Sequence, residues 1–143
     1  FVICYSTIRS YAGGFHAKTR INCYIISVIM IISVLSVLKI SPVQYRKQMS
    51  LIGMLLSTAI ILWLSPEDNP NKPLDQDEMK RYKKVVIILI IIESAAFIAL
   101  WVINLSSYLL TIGLSNISVS VTLIASKIQK TTYKNIFFRK ADR

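Results

Sequence analysis

Charge is what this chain has least of. Only 17% of its 143 residues are Asp, Glu, Lys or Arg, against roughly a quarter in an average soluble domain. What charge there is avoids four apolar runs, residues 21–38, 49–65, 85–103 and 107–126, which hold one charged residue between them, Glu93. Each run is about as long as the stretch of roughly 17–25 apolar residues that crosses a ~30 Å hydrocarbon core as a helix. Four such runs exclude a soluble enzyme, a secreted disulfide scaffold and a nucleic-acid-binding domain. Backbone polar groups in lipid must be satisfied internally, so the runs predict helices rather than strands. The expected fold class is an all-α integral membrane protein, a helical bundle of about four full spans.

The net charge of +10 comes from 17 Lys and Arg set against 7 acids. These bases flank the apolar runs instead of forming one basic face, which suits contact with membrane lipids and not with nucleic acid. Alternating the spans puts residues 1–20, the 66–84 loop and the 127–143 tail on one side. That side carries 14 of the 17 bases, and the positive-inside rule assigns it to the cytoplasm. The chain opens on FVICYSTI, too short to span and without the basic start of a signal peptide. It reads as the last turns of a helix whose beginning lies further toward the N-terminus.

Within the spans, Ser107, Thr111, Ser115, Ser118, Thr122 and Ser126 recur every three or four residues, one stripe along a helix. Small hydroxyl residues let helices approach, so packing against a neighbour is favoured over a polar transport path. Gly53 and Ser57 offer a similar small pair. Glu93, roughly 12 Å into its span, is either a functional acid or a neutral carboxyl bonded to a neighbouring helix. Three of the four prolines (Pro66, Pro70, Pro73) fall in the 66–84 loop, where they stiffen a solvated connection or a peptide-docking segment. Tyr133, Phe137 and Phe138 among the tail's bases suit an anionic lipid surface or a disordered segment.

Reactive side chains are few: one histidine, His16, and two cysteines, Cys4 and Cys23. Cys4, His16 and Cys23 match no standard zinc spacing, so neither a metal nor another cofactor is expected. A disulfide is disfavoured on the reducing side of the membrane. There remains a nucleophilic pair, in which His16 takes the Cys23 proton and later returns one to a leaving amine, although a lone His and Cys at a membrane edge are more often bystanders. On one continuous helix, residues seven apart stand about 10.5 Å apart along the axis, far beyond hydrogen-bond reach. The pair therefore requires a break in the helix. Gly13 and Gly14 permit a tight path just before His16, and Thr19 is a plausible N-cap for the span that follows. Cys23 then falls near a helix N-terminus, where the dipole, together with Lys18 and Arg20, favours a thiolate. No acid precedes Glu67, so a local acidic partner for His16 is lacking.

The string R-x3-G-G-x-H-x6-C formed by Arg9, Gly13, Gly14, His16 and Cys23, with the downstream loop from Ser65-Pro66 to Asn71-Lys72-Pro73, resembles the accessory gene regulator B (AgrB) family. These are membrane cysteine peptidases of Gram-positive quorum sensing. The resemblance is good over roughly residues 1–90 and rests on hydropathy beyond. It implies one membrane-embedded peptidase domain over residues 1–143, lacking part of its N-terminal region, with an AgrD-like propeptide as substrate. It further implies Cys23 as nucleophile and His16 as base, and an acyl-enzyme thioester captured by an internal Cys or Ser of the peptide to close a thiolactone or lactone. Gly13 and Gly14 would shape the loop and oxyanion site, and Arg9, Lys18, Arg20 and Lys72 would meet the acidic end of the substrate. A homodimer is compatible with this reading. The rival reading is a non-catalytic peptide exporter or small transporter dependent on Glu93 and the hydroxyl stripe; a chaperone that binds a peptide without cutting it is a third.

Overall fold

The computed structural model describes residues 1–13, 20–67 and 75–141, with the backbone alone at 20, 22, 23 and 132–141. Among them every regular element is helical: α1 (Val2–Ala12), α2 (Arg20–Ile40), a 3-10 turn (Val43–Tyr45), α3 (Arg46–Leu64), α4 (Gln76–Val102) and α5 (Ser106–Ala141). Three described stretches, Val43–Leu64, Gln76–Val102 and Ser106–Thr131, are long and apolar enough to cross a membrane. α2 is 21 residues long, and its apolar part Tyr24–Ile40 is a shorter segment. The protein is a multi-pass membrane helical bundle.

α5 is the centre of the bundle. Of its span 56% is buried inside the protein, against 28% for α3 and 22% for α4. Lipid tails are as apolar as leucine, so these helices are held by close backbone approach and not by a drive to leave water. α3 shows how. Ser50, Gly53, Ser57 and Ile61, spaced three and four apart, are all buried. A Cβ on Gly113 of α5 would stand 3.1 Å from the Ser50 carbonyl oxygen, and one on Gly53 2.8 Å from Cδ1 of Ile117. The hydroxyl stripe of α5 lies in this packing: Ser115, Ser118 and Thr122 are buried. Ser118 and Thr122 donate to carbonyls of their own helix, those of Leu114 and Val119.

α1 is short but deeply seated. Tyr5, Ile8 and Ala12 form one apolar face buried against Ile61, Val86, Ile90, Val119 and Leu123 of the spanning helices. A second cluster of Met54, Phe97 and Leu109 lies toward the far end. There Arg46 donates to the carbonyls of Leu38 (2.9 Å) and Ser41 (3.0 Å) and to the Ser107 hydroxyl (2.8 Å), tying the close of α2 to the starts of α3 and α5. Large apolar side chains such as Ile29, Leu35, Leu55, Ile91 and Ile98 remain outward on α2, α3 and α4, a surface suited to lipid.

Two boundaries differ from the hydropathy reading. α4 begins at Gln76, so the apolar run 85–103 is the later part of a longer helix and Lys80, Arg81, Lys83 and Lys84 ride on its first turns. The cause is a capping box: the Asp75 carboxylate accepts from the Gln76 N–H at 2.8 Å, and Glu78 reaches back to the Asp75 N–H. α5 likewise continues to Ala141, about 54 Å at helical rise, carrying the basic tail out as helix.

Candidate active site

The helix ends sort into two groups, and the bases with them. At one end α1 finishes, α2 starts, α3 hands over to the Ser65–Glu67 segment and α5 runs on past Lys127. α1 stops at Gly13, which takes φ 82° and donates its N–H to the Arg9 carbonyl at 3.2 Å. The chain leaving α3 comes back against this point. The Glu67 N–H donates to the Ala12 carbonyl at 3.0 Å, and a Cβ on Gly13 would lie only 2.4 Å from the Glu67 carbonyl oxygen. Glycine is therefore required here twice over, by the left-handed backbone and by the neighbouring chain. The Glu67 carboxylate, 13% exposed, stands 3.7 Å from Nζ of Lys130 on α5. Three residues earlier, Lys127 lies over the Trp63 ring at 5.3 Å. Tyr11 meets Tyr82 edge to face at 5.9 Å, joining the last turn of α1 to α4.

Beside this junction, a groove of about 510 Å³ runs between α1 and α2, lined by Phe1, Tyr5, Arg9 and Gly13 on one side and Ser27 and Ile31 on the other. The Arg9 guanidinium donates to the Tyr5 hydroxyl at 2.7 Å and sits over the same ring at 5.4 Å. Tyr5 in turn stacks on Phe1. Among the described residues the groove is thus largely apolar with one cation, Arg9, a chemistry suited to a ligand carrying both apolar and acidic groups.

Of the residues singled out in the sequence, Gly13 and Arg9 are placed at this end. Cys23 lies in the first turn of α2, which begins at Arg20, one turn before the groove residue Ser27. α1 and α2 are separate helices, ending at Ala12 and starting at Arg20. Gly14, His16, Lys18, Thr19 and Lys72 lie outside the described residues, as do the side chains of Arg20 and Cys23.

Glu93 is elsewhere, about 26 Å along α4 from Gln76. It is buried, accepts from the Asn116 amide at 2.9 Å and lies close enough to Cys4 of α1 for the two to interact electrostatically. This polar contact joins α1, α4 and α5 inside the bundle. Among the described residues no group of three His, Cys, Asp or Glu is gathered for a metal. Reading the sequence misses Glu67 and Asn116. Glu67 carries no local signal of its long-range contact, whereas Asn116 is an amide inside an apolar span, which is itself a signal of interhelical bonding.

The pattern of the family described as Accessory gene regulator B matches residues 1–125. Protein FsrB of Enterococcus faecalis is 25% identical over 140 residues, covering 93% of this chain and 58% of that protein. The chain thus spans little more than half the length of this curated relative. No solved structure matches. With the family pattern running through Gly13, Gly14, His16, Cys23 and the first half of α5, the chain belongs to the accessory gene regulator B family.

Proposed function

We propose that the chain is a membrane cysteine endopeptidase that processes a short AgrD-type propeptide at the cytoplasmic face. The observation that supports the reading is the break between α1 and α2: α1 ends at Ala12 and α2 starts at Arg20, so Cys23 falls in the first turn of a new helix. Sidedness rests on the 14 of 17 bases that alternation places at this end.

In this reading His16 takes the Cys23 proton, and the thiolate attacks the carbonyl carbon on the C-terminal side of the future ring. The C–N bond breaks, His16 protonates the leaving amine, and an acidic fragment departs from a thioester on Cys23. The Gly13 N–H is given to the Arg9 carbonyl, so the main-chain N–H of Gly14 and those at the start of α2 are the candidates for holding the oxyanion. An internal Cys or Ser of the peptide then attacks the thioester, closing the ring and restoring the Cys23 thiol. Exchange of one thioester for another is nearly even in energy, whereas making the first from an amide is uphill, so removal of the released fragment draws the reaction forward. A partly dry membrane edge protects the intermediate from water. The groove beside Arg9 receives the peptide, with Lys18, Arg20 and Lys72 as further contacts for its acidic end.

The exporter reading is weaker because Glu93 is bonded to Asn116 and Ser115, Ser118 and Thr122 are buried within the bundle. The test is co-expression of the propeptide with wild type, Cys23→Ala and His16→Ala, followed by mass spectrometry. Cleavage is expected to vanish in both variants; cleavage that persists in Cys23→Ala rejects the peptidase.

A further inference from the structure

The junction at Gly13 contains an acid that the proposed chemistry does not use. Glu67 touches α1 and α5 through different parts of itself. Its N–H holds the Ala12 carbonyl at 3.0 Å, its carbonyl oxygen packs on Gly13, and its carboxylate pairs with Lys130 at 3.7 Å. Gly13 ends α1 three residues before His16, so whatever fixes Gly13 fixes the point from which the chain leaves α1 toward His16. α5 is a firm support for such a fixture: it is the bundle's central helix, and Lys127 over Trp63 holds its extension against the end of α3.

We infer that Glu67 is a positioning residue for the peptidase, an electrostatic link through which Lys130 on α5 holds the end of α1 and thereby the approach of His16 to Cys23. The inference rests on the peptidase reading. Its physical basis is the steep dependence of rate on alignment: a displacement of about 1 Å can cost on the order of a hundredfold. The ion pair fixes the carboxylate, the carboxylate fixes the turn after Pro66, and the backbone of that turn meets Ala12 and Gly13. A purely structural surface pair would influence none of these steps.

The test uses the full chain in lipid nanodiscs with the propeptide that its wild type processes. Glu67→Gln, Glu67→Lys and Lys130→Glu are each expected to slow processing at saturating peptide by about tenfold or more, and to speed amide hydrogen exchange at residues 12–13 and 67. The double exchange Glu67→Lys with Lys130→Glu is expected to recover both to within about threefold of wild type. Glu67→Gln keeps the shape and the main-chain contacts, so it guards against a folding defect. Unchanged processing in all three single variants overturns the inference, as does faster exchange without slower processing, or a double variant no better than the singles. Processing that survives Cys23→Ala defeats the peptidase reading and the positioning role of Glu67 with it, a result readable apart from the exchange measurements, which need no peptide.

Discussion

The side-chain amide of Asn116 donates to Oε2 of Glu93 at 2.9 Å in the interior of the bundle, and the same nitrogen lies 3.0 Å from the Met54 sulfur. One amide on α5 therefore joins α4 to α3, with Cys4 of α1 near the carboxyl. Hydrogen bonds of this kind between membrane helices are worth about 1 kcal/mol. Glu93→Ala is expected to lower stability by that amount, read from thermal unfolding in micelles, while Glu93→Gln keeps most of it. Both variants are expected to process propeptide at near wild-type rates. Loss of processing in Glu93→Gln, with folding intact, would instead point to a proton-carrying role for this acid.

Gly13 allows a sharper prediction. A methyl group there meets the Glu67 carbonyl oxygen at 2.4 Å while the backbone keeps φ 82°. A side chain in such a backbone costs about 1–3 kcal/mol, and the contact forces α1 and the Glu67 turn apart. Gly13→Ala is expected to insert into membranes at wild-type levels yet lose most propeptide processing, about tenfold or more. Quantifying cleaved peptide against membrane-inserted protein checks this. Wild-type processing would show that the junction does not govern the site.

Hydropathy reveals the spans that became α3, α4 and α5, and the small residues of α5 reveal a packing face, because both are local periodic properties that burial in lipid enforces. The break before Cys23 is also legible, since Gly13-Gly14 and a basic pair interrupt the apolar pattern. The start of α4 was present in Asp75-x-x-Glu78 but is overshadowed by prolines and charge; a capping box outweighs polarity in setting a helix start. Glu67 was not legible. Its meeting with Gly13 depends on how α1 seats between α4 and α5, and no spacing along the chain encodes that. The same holds for Arg46, which hydropathy marks only as a flanking base.

Arg46 makes a stability prediction separable from activity. Its Nε and two terminal nitrogens reach three acceptors: Leu38 on α2, Ser41 in the turn that follows α2, and Ser107 on α5. Lysine has neither the planar fork nor enough directed donors to replace it. Arg46→Lys is expected to lower stability by about 1–2 kcal/mol, and Arg46→Ala by slightly more, since the carbonyls of Leu38 and Ser41 lose a charged donor. Thermal unfolding in micelles measures this. The far end lies a full span from the Gly13 junction, so the folded fraction of either variant is expected to retain its processing rate.

The two cysteines differ in setting, and this yields a prediction that needs no propeptide. Cys4 is half-buried within α1, its thiol beside the Glu93 carboxyl. Cys23 stands in the first turn of α2, where unpaired N–H groups and the helix dipole favour the thiolate, the form that reacts with an alkylating agent. At neutral pH iodoacetamide is expected to label Cys23 about tenfold faster than Cys4, with peptide mass spectrometry resolving the two sites. A histidine that withdraws the thiol proton adds to the difference, so His16→Ala is expected to slow labelling of Cys23 and leave Cys4 unaltered. Equal rates at both sulfurs, or a Cys23 rate indifferent to His16→Ala, would separate the imidazole from the thiol and leave the break between α1 and α2 without a catalytic purpose.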